Sequence, residues 1–396
     1  MQNVYLDYAA TTPTDPEVLE AMIPYFTEVY GNPSSVYSFA SKSRAAIEKA
    51  RSQVATALSA LPEEIFFISS GTEADNWALK GTFDRMRGKG SHIITTQIEH
   101  HAILHTAQYL EKIEGAEVTF LPVDEAGRVR MEDLKAAVTD KTILVSIMFA
   151  NNEVGTIQPV NAIGKFCREH GIFFHTDAVQ AAAQVDIDVN AMNIDMMSMS
   201  AHKMYGPKGV GAFYVRKGLK LENFVHGGGQ EKGRRASTEN IAGIVGMGFA
   251  MEKMKARLPQ EKLRLTGLRD QLIDGVFKTI PHAKLNGASG NERLPNNTNF
   301  SFIGIEGETL LLDLDAKGIS ASTGSACSSG SLDPSHVLMA IGLTHEQAHG
   351  SLRMTLGRGT TEEQIDYVLN VLPGIVAHRR AMSPLWEDYM KKTGEK

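Results

Sequence analysis

Seven short apolar runs, separated by stretches of helical periodicity, decide what the first two thirds of this chain can become. Residues 65–69, 92–96, 118–123, 142–149, 172–175, 195–198 and 210–215 read as strands. Between them, 72–86, 102–114, 131–138 and 160–170 read as helices. Several runs lack polar alternation, so both strand faces must be buried, as in a mainly parallel sheet covered by helices. Such sheets bind ligands beyond the carboxyl ends of their strands. The residues following each run are therefore the candidates for chemistry.

The pattern then changes. A helix is expected from Glu239 to about Leu258, interrupted by Pro259, with a second amphipathic helix over 261–277. Strand 297–303, helix 308–317, strand 351–356 and helix 361–376 form an α+β tail, and 391–396 reads as a frayed polar end. A domain boundary is expected near Pro259, and 396 residues leave room for two domains. The charge balance, 40 Lys+Arg against 46 Asp+Glu with no basic run, excludes a dedicated nucleic-acid binder. The longest apolar run, 142–150, is too short to cross a membrane. Two cysteines, Cys167 and Cys327, cannot build a disulfide framework, and residues 1–7 carry no leader pattern, so a cytoplasmic location is expected.

Four strand ends hold polar clusters: 69–73 (Ser-Ser-Gly-Thr-Glu), 151–153 (Asn-Asn-Glu), 175–180 (His-Thr-Asp-Ala-Val-Gln) and 200–203 (Ser-Ala-His-Lys). A Ser-Gly-Thr entering a helix either cradles a phosphate on free backbone N–H groups or simply caps the helix. Lys203 ends a strongly apolar strand, where desolvation favours the neutral amine that condenses with a carbonyl; a solvated loop lysine is the plain alternative. Asp177 delivers a carboxylate to the same sheet edge. Phosphate cradle, His100, Asp177 and Lys203, in that chain order, describe a pyridoxal phosphate (PLP) site.

Ten collinear motifs then resemble those of cysteine desulfurases of the NifS/IscS-like group, in the class V aminotransferase family. They are Tyr5-Leu6-Asp7-Tyr8-Ala9-Ala10-Thr11-Thr12-Pro13, Gly31-Asn32-Pro33-Ser34-Ser35, Ser70-Gly71-Thr72-Glu73-Ala74-Asp75-Asn76, Glu99-His100 and Asn151-Asn152-Glu153-Val154-Gly155. The remainder are 175–180, 200–203, Gly206-Pro207-Lys208-Gly209, Gly324-Ser325-Ala326-Cys327 and 351–358. The resemblance implies the type I PLP-dependent transferase (aspartate-aminotransferase-like) α/β fold, with a mainly parallel seven-stranded sheet and a smaller α+β domain. It implies a large PLP-binding domain over 14–258, and a small domain from 1–13 and 259–396 carrying the catalytic cysteine loop. The implied activity converts L-cysteine to L-alanine and leaves the sulfur as a persulfide on Cys327. The enzyme would work as a homodimer that delivers sulfur to an acceptor such as an iron–sulfur scaffold, touching neither nucleic acid nor membrane.

The resemblance also assigns roles. Lys203 would hold PLP covalently, Asp177 would pair with the ring nitrogen, His100 would stack on the ring, and Gln180 would bond the phenolic oxygen. Gly71, Thr72, Ser200 and His202 would take the phosphate, joined by Thr238 from the neighbouring subunit. Asn32, Asn152 and Arg353 would bind substrate, with Arg358 the alternative for its carboxylate. Cys327 would be the nucleophile, set among small residues, whereas Cys167 reads as a buried structural thiol. Family members often carry glycine where this chain has Ser237.

Other readings use the same residues. A selenocysteine lyase or another PLP-dependent aminotransferase-like enzyme would keep Lys203 without requiring a thiol near 327. A non-catalytic assembly partner would lack Lys203, Asp177 or Cys327, and all three are present. His345-Glu346-Gln347-Ala348-His349 is a formal zincin motif, but its segment is short and ends at Gly350, so no metal is expected. Gly227-Gly228-Gly229-Gln230 lacks the strand and spacing of a dinucleotide loop.

Overall fold

The computed structural model describes residues 3–323 and 333–394. All seven expected strands form one sheet, in the spatial order Ile65–Ile68, Gly211–Val215, Met196–Ser200, Phe173–Asp177, Thr142–Ser146, His92–Thr96, Glu117–Leu121. Gly211–Val215 is antiparallel to both neighbours, and the other six strands share one direction. Five of the seven strands are buried at every residue, which accounts for their lack of polar alternation.

Helices Gly71–Met86, Met131–Ala137 and Val160–His170 match the expected positions closely. The expected helix over 102–114 is α-helical at His101–Tyr109 and finishes as a π-helical turn, Leu110–Glu114.

Pro259 does not divide the molecule's longest helix. Ile241–Thr279 is continuous through it, which corrects the expected pair of helices. Each half is held by a different apolar cluster: Ile244, Met247, Met251 and Met254 pack under the large sheet. Leu265, Leu268, Leu272 and Val276 pack with Phe300, Leu352 and Val368. Burial on both sides outweighs the roughly 3 kcal/mol that an interior proline costs a helix.

The second cluster lies against an antiparallel sheet in the order Ser351–Thr355, Asn297–Phe302, Ala283–Leu285. Val4 and Leu6 join it, and Val4–Tyr5 pairs in parallel with Ile319–Ser320. The chain then crosses to the large sheet, where Thr12 N donates to His202 O (3.0 Å) and Asp15 N to Tyr205 O (3.0 Å). The first half of the expected frayed end, 391–393, is helical instead: Pro384–Thr393 is capped by Ser383 and closed by Gly394 at φ 71°.

Candidate active site

Seven segments of the chain converge on a cavity of about 300 Å³ at the carboxyl edge of the large sheet. Its lining includes Ala9, Ala10, Gly71, Thr72, Asp75, His100, Asn152, Asp177, Gln180, Ser200, His202, Lys203 and Arg353. Ten of the thirteen site residues expected from the sequence are thus brought together. Thr238 is exposed and lines a separate recess of about 160 Å³ with Ser69 and Arg235. Asn32 is not at the cavity either: it is exposed, and its side-chain oxygen accepts from Ser34 N (2.9 Å) within its own turn. Cys327 lies outside the described residues.

Strand Ile65–Ile68 ends one residue before Ser69, and Ser70 caps helix Gly71–Met86 by accepting from Glu73 N (3.2 Å). The first N–H groups of this helix therefore face the cavity with no intrahelical partner, the arrangement that attracts phosphate. A Cβ on Gly71 would lie 2.7 Å from Val179 Cγ2, so only glycine fits there without a shift. His202 takes Thr11 Oγ1 against Nδ1 (3.1 Å), and burial pulls its pKa down to about 4, helped by Lys203 and Lys208. It is a neutral ring at physiological pH.

Asp177 ends its strand 7% exposed, with Oδ1 accepting from Val179 N (2.9 Å). Burial pushes its carboxyl up, while His100 and Lys203 favour the ionised form. Asp75, one turn into helix Gly71–Met86, is 1% exposed, and its Oδ1 lies 3.8 Å from His175 Nε2. Burial and the neighbouring Asp177 drive Asp75 well above the usual carboxylate range. The cations near Asp177 make it the better placed of the two to ionise. Behind them His175 is completely buried between Ser146 Oγ and Ser198 Oγ, each 2.9 Å away, and burial pulls its pKa down to about 3.

Lys203 closes a short 3-10 turn after strand Met196–Ser200, and its Nζ donates to Ala9 O and Ala10 O, both at 2.6 Å. Gln180 Nε2 also donates to Ala9 O (3.0 Å). His100 caps helix His101–Tyr109, its Nδ1 accepting from Ala102 N (3.1 Å), which fixes the ring's orientation.

Arg353 is 3% exposed; one guanidinium nitrogen donates to Asp7 Oδ1 (2.8 Å), another to Asn152 O (3.2 Å). Its Nε has no acceptor among the described residues, a vacancy suited to a carboxylate oxygen. Arg358 points elsewhere, pairing with Asp15 and lying 4.2 Å over the Tyr205 ring.

Both described ends of the 324–332 stretch are fastened to this site. Ser322 and Arg353 exchange backbone hydrogen bonds (3.1 and 2.6 Å), and Ser335 Oγ donates to Glu153 Oε2 (2.5 Å). A second recess of about 440 Å³ borders Thr323, Asp333 and Ser335. Cys167 is completely buried, and burial pushes its thiol up to about 12, so it presents no thiolate. His345–His349 is a five-residue helix, and no cluster of metal-ligating side chains occurs among the described residues.

Sequence reasoning quoted Asp7, Asp75 and Glu153 only as letters in motifs and gave them no role. Glu99 is a further case: its Oε1 accepts from Thr96 Oγ1 (2.7 Å) and Met148 N (3.0 Å), its Oε2 has no hydrogen-bond partner among the described residues, and burial raises its pKa to about 8. A carboxyl raised this way contributes stability in its protonated form. That contribution is full below the unfolded value of about 4.3 and lost as pH climbs through 8. We expect apoprotein stability to fall by a few kcal/mol between pH 5 and pH 8, and Glu99→Gln to flatten that slope. Urea titrations at each pH would check this; an unchanged slope in the variant would remove Glu99 as its source.

Ser237 has φ 102°, in the region that favours glycine, so the departure from the family pattern carries backbone strain. Ser237→Gly should stabilise the protein by about 1 kcal/mol and raise the melting temperature by a few degrees. A lower melting temperature would mean the serine hydroxyl outweighs the strain.

The residues present fit PLP: a helix terminus for phosphate, a buried carboxylate for a ring nitrogen, and an amine between them. Comparisons with known proteins agree. The aminotransferase class-V family model matches residues 4–368. Cysteine desulfurase IscS of Clostridium botulinum (strain Hall) is 64% identical over 396 residues, covering 100% of both chains. A solved NifS-like protein superposes with TM-score 0.89 at 40% identity, over 95% of this chain and 100% of that one. SspA, solved in complex with cysteine, gives TM-score 0.79 at 38% identity, over 89% of this chain and 98% of the other. This chain belongs to the aminotransferase class-V family, within its NifS/IscS-like cysteine desulfurase group.

Proposed function

We propose the following division of labour in this PLP-dependent cysteine desulfurase, an enzyme that converts L-cysteine to L-alanine and retains the sulfur. One observation carries it: Lys203, Asp177, the Gly71–Thr72 helix start and Arg353 line a single cavity of about 300 Å³. When bound, PLP supplies an electron sink that makes the substrate Cα proton removable. The chain supplies everything else.

Gly71 and Thr72 hold the phosphate with Ser200 and His202, and neutral His202 donates without adding charge. Asp177 stays ionised and keeps the ring nitrogen protonated; Gln180 faces the phenolic oxygen. Lys203 would hold the PLP aldehyde, and its Nζ is the base placed to take the substrate Cα proton. His100, oriented through Nδ1, stacks on the ring and leaves Nε2 to pass a proton. Arg353 and Asn152 orient the substrate carboxylate, with Arg353 Nε taking one oxygen.

Cys327 completes the reaction as nucleophile. Its thiolate forms an S–S bond to the substrate sulfur while the C–S bond breaks. The electron pair left on the three-carbon unit takes up a proton, and alanine leaves. Cys327 follows Ser322 by five residues, a reach of at most about 18 Å from the Arg353 strand.

The domain division at 14–258 against 1–13 and 259–396 belongs to the same proposal, supported by the two apolar clusters. So do a homodimer in which exposed Thr238 and Asn32 serve the neighbouring subunit, a cytoplasmic location, and sulfur delivery to an iron–sulfur scaffold. No helix among the described residues is long and apolar enough to cross a membrane.

Arg353→Ala tests the substrate half by itself. The Michaelis constant for L-cysteine should rise about 100-fold while the PLP absorbance stays intact. Loss of the PLP spectrum would instead make Arg353 a structural residue, acting through Asp7.

A further inference from the structure

Helix Gly71–Met86 carries an acidic residue in the turn that faces the phosphate. Glu73 is at its third position, with a side chain only 9% exposed. Its carboxylate is saturated: Oε1 accepts from Arg235 Nε (2.8 Å), and Oε2 from Arg235 NH2 (3.0 Å), Ser69 N (2.8 Å) and Ser69 Oγ (2.5 Å). These bonds hold the carboxyl below its usual value despite burial, so the charge is permanent at neutral pH. A fixed negative charge in this turn opposes any dianion at the same N–H groups.

The cation that answers it comes from far along the chain. Arg235 lies in a segment that is itself pinned to the large sheet. Glu231, 6% exposed, accepts from Arg51 (2.8 and 2.9 Å) and from Phe67 N (2.9 Å) on strand Ile65–Ile68. Three non-glycine residues of the segment, Glu231, Lys232 and Ser237, have φ between 45° and 102°. The segment is thus bent out of ordinary backbone geometry and held by two ion pairs, one on each side of the strand-to-helix turn.

We propose that Arg235 is a positioning residue for the cofactor phosphate: it cancels Glu73 and fixes the Ser69–Thr72 turn that receives the anion. This rests on the reading that Gly71 and Thr72 take the PLP phosphate. The pair acts on the phosphate and leaves the ring alone, so pyridoxal, which lacks the phosphate, separates its effect from general damage.

The test is the affinity of the apoprotein for PLP and for pyridoxal, read by tryptophan fluorescence, with circular dichroism confirming the fold. Arg235→Gln should weaken PLP about tenfold or more and leave pyridoxal within about twofold. Adding Glu73→Gln should bring PLP back to within about threefold of the unsubstituted protein, because the uncancelled charge is gone. Glu73→Gln alone should bind PLP at least as tightly as the unsubstituted protein, and Arg235→Lys, which keeps the charge but loses the paired bonds to both Glu73 oxygens, should lose less PLP affinity than Arg235→Gln.

Arg235→Gln with unchanged PLP affinity, equal losses for both ligands, or a double variant no better than the single one would each overturn the proposal. Should Arg235→Gln fail to fold, a tenfold loss of PLP affinity in Glu73→Gln overturns it, and retained affinity there with a loss specific to PLP over pyridoxal in Arg235→Lys upholds it. An unsubstituted protein that binds PLP no better than pyridoxal would sink the underlying phosphate assignment instead.

Discussion

Lys203→Ala should lose turnover of L-cysteine by at least about ten-thousandfold, and borohydride should no longer fix PLP to the chain. The expected size follows from position. Lys203 lines one cavity with Asp177 and the start of helix Gly71–Met86, and Ala9 and Ala10 aim its Nζ with two carbonyls at 2.6 Å. Ala9 O keeps Gln180 Nε2 (3.0 Å) and Ala10 is exposed to water, so the variant should fold with little loss of stability. Alanine formation with the reduced, digested protein as companion checks both halves. A variant that keeps measurable alanine production would remove Lys203 from the proton transfer.

Cys327→Ser should bind L-cysteine and still fail to release sulfur, with turnover again down by about ten-thousandfold. Binding needs the helix start, Lys203 and Arg353, all untouched. Sulfur transfer needs an anion at neutral pH, and a hydroxyl is too weakly acidic to supply one. Cys167→Ala should leave the rate within about twofold, because that thiol is completely buried and pushed up to about 12. Stopped-flow absorbance with alanine and sulfide assays separates binding from transfer. Full sulfide release from Cys327→Ser would contradict its role.

The large sheet was legible because strands buried on both faces are predominantly apolar and show no regular polar alternation, and all seven runs appear within a few residues of their expected ends. Helix Ser38–Ala57 was not. Much of its buried face is Ala40, Ala46, Ala50, Ala55 and Ala57, with Ser43 and Arg51 also inside, so its apolar stripe contrasts weakly with its exposed face. Pro259 misled for a related reason: a local rule ends the helix there, but two separate cores hold its halves in line.

Lys203, Asp177 and the Ser-Gly-Thr turn could be found at strand ends, where the topology must deliver them. The pairings that tune them could not. Arg353 with Asp7, Glu153 with Ser335 and Glu73 with Arg235 join residues 162 to 346 positions apart, and neither periodicity nor spacing reveals such contacts. Asn32 shows the converse, since a motif can match while its side chain stays in its own exposed turn.

Peptide mass analysis tests the chemistry most directly. The PLP-loaded protein is incubated with L-cysteine, trapped with an alkylating reagent and digested. One extra sulfur atom should appear on the peptide carrying Cys327, accompanied by one equivalent of alanine. Extra sulfur on the Cys167 peptide, or alanine formed with no sulfur on either, would contradict the assignment of Cys327 as the sulfur carrier.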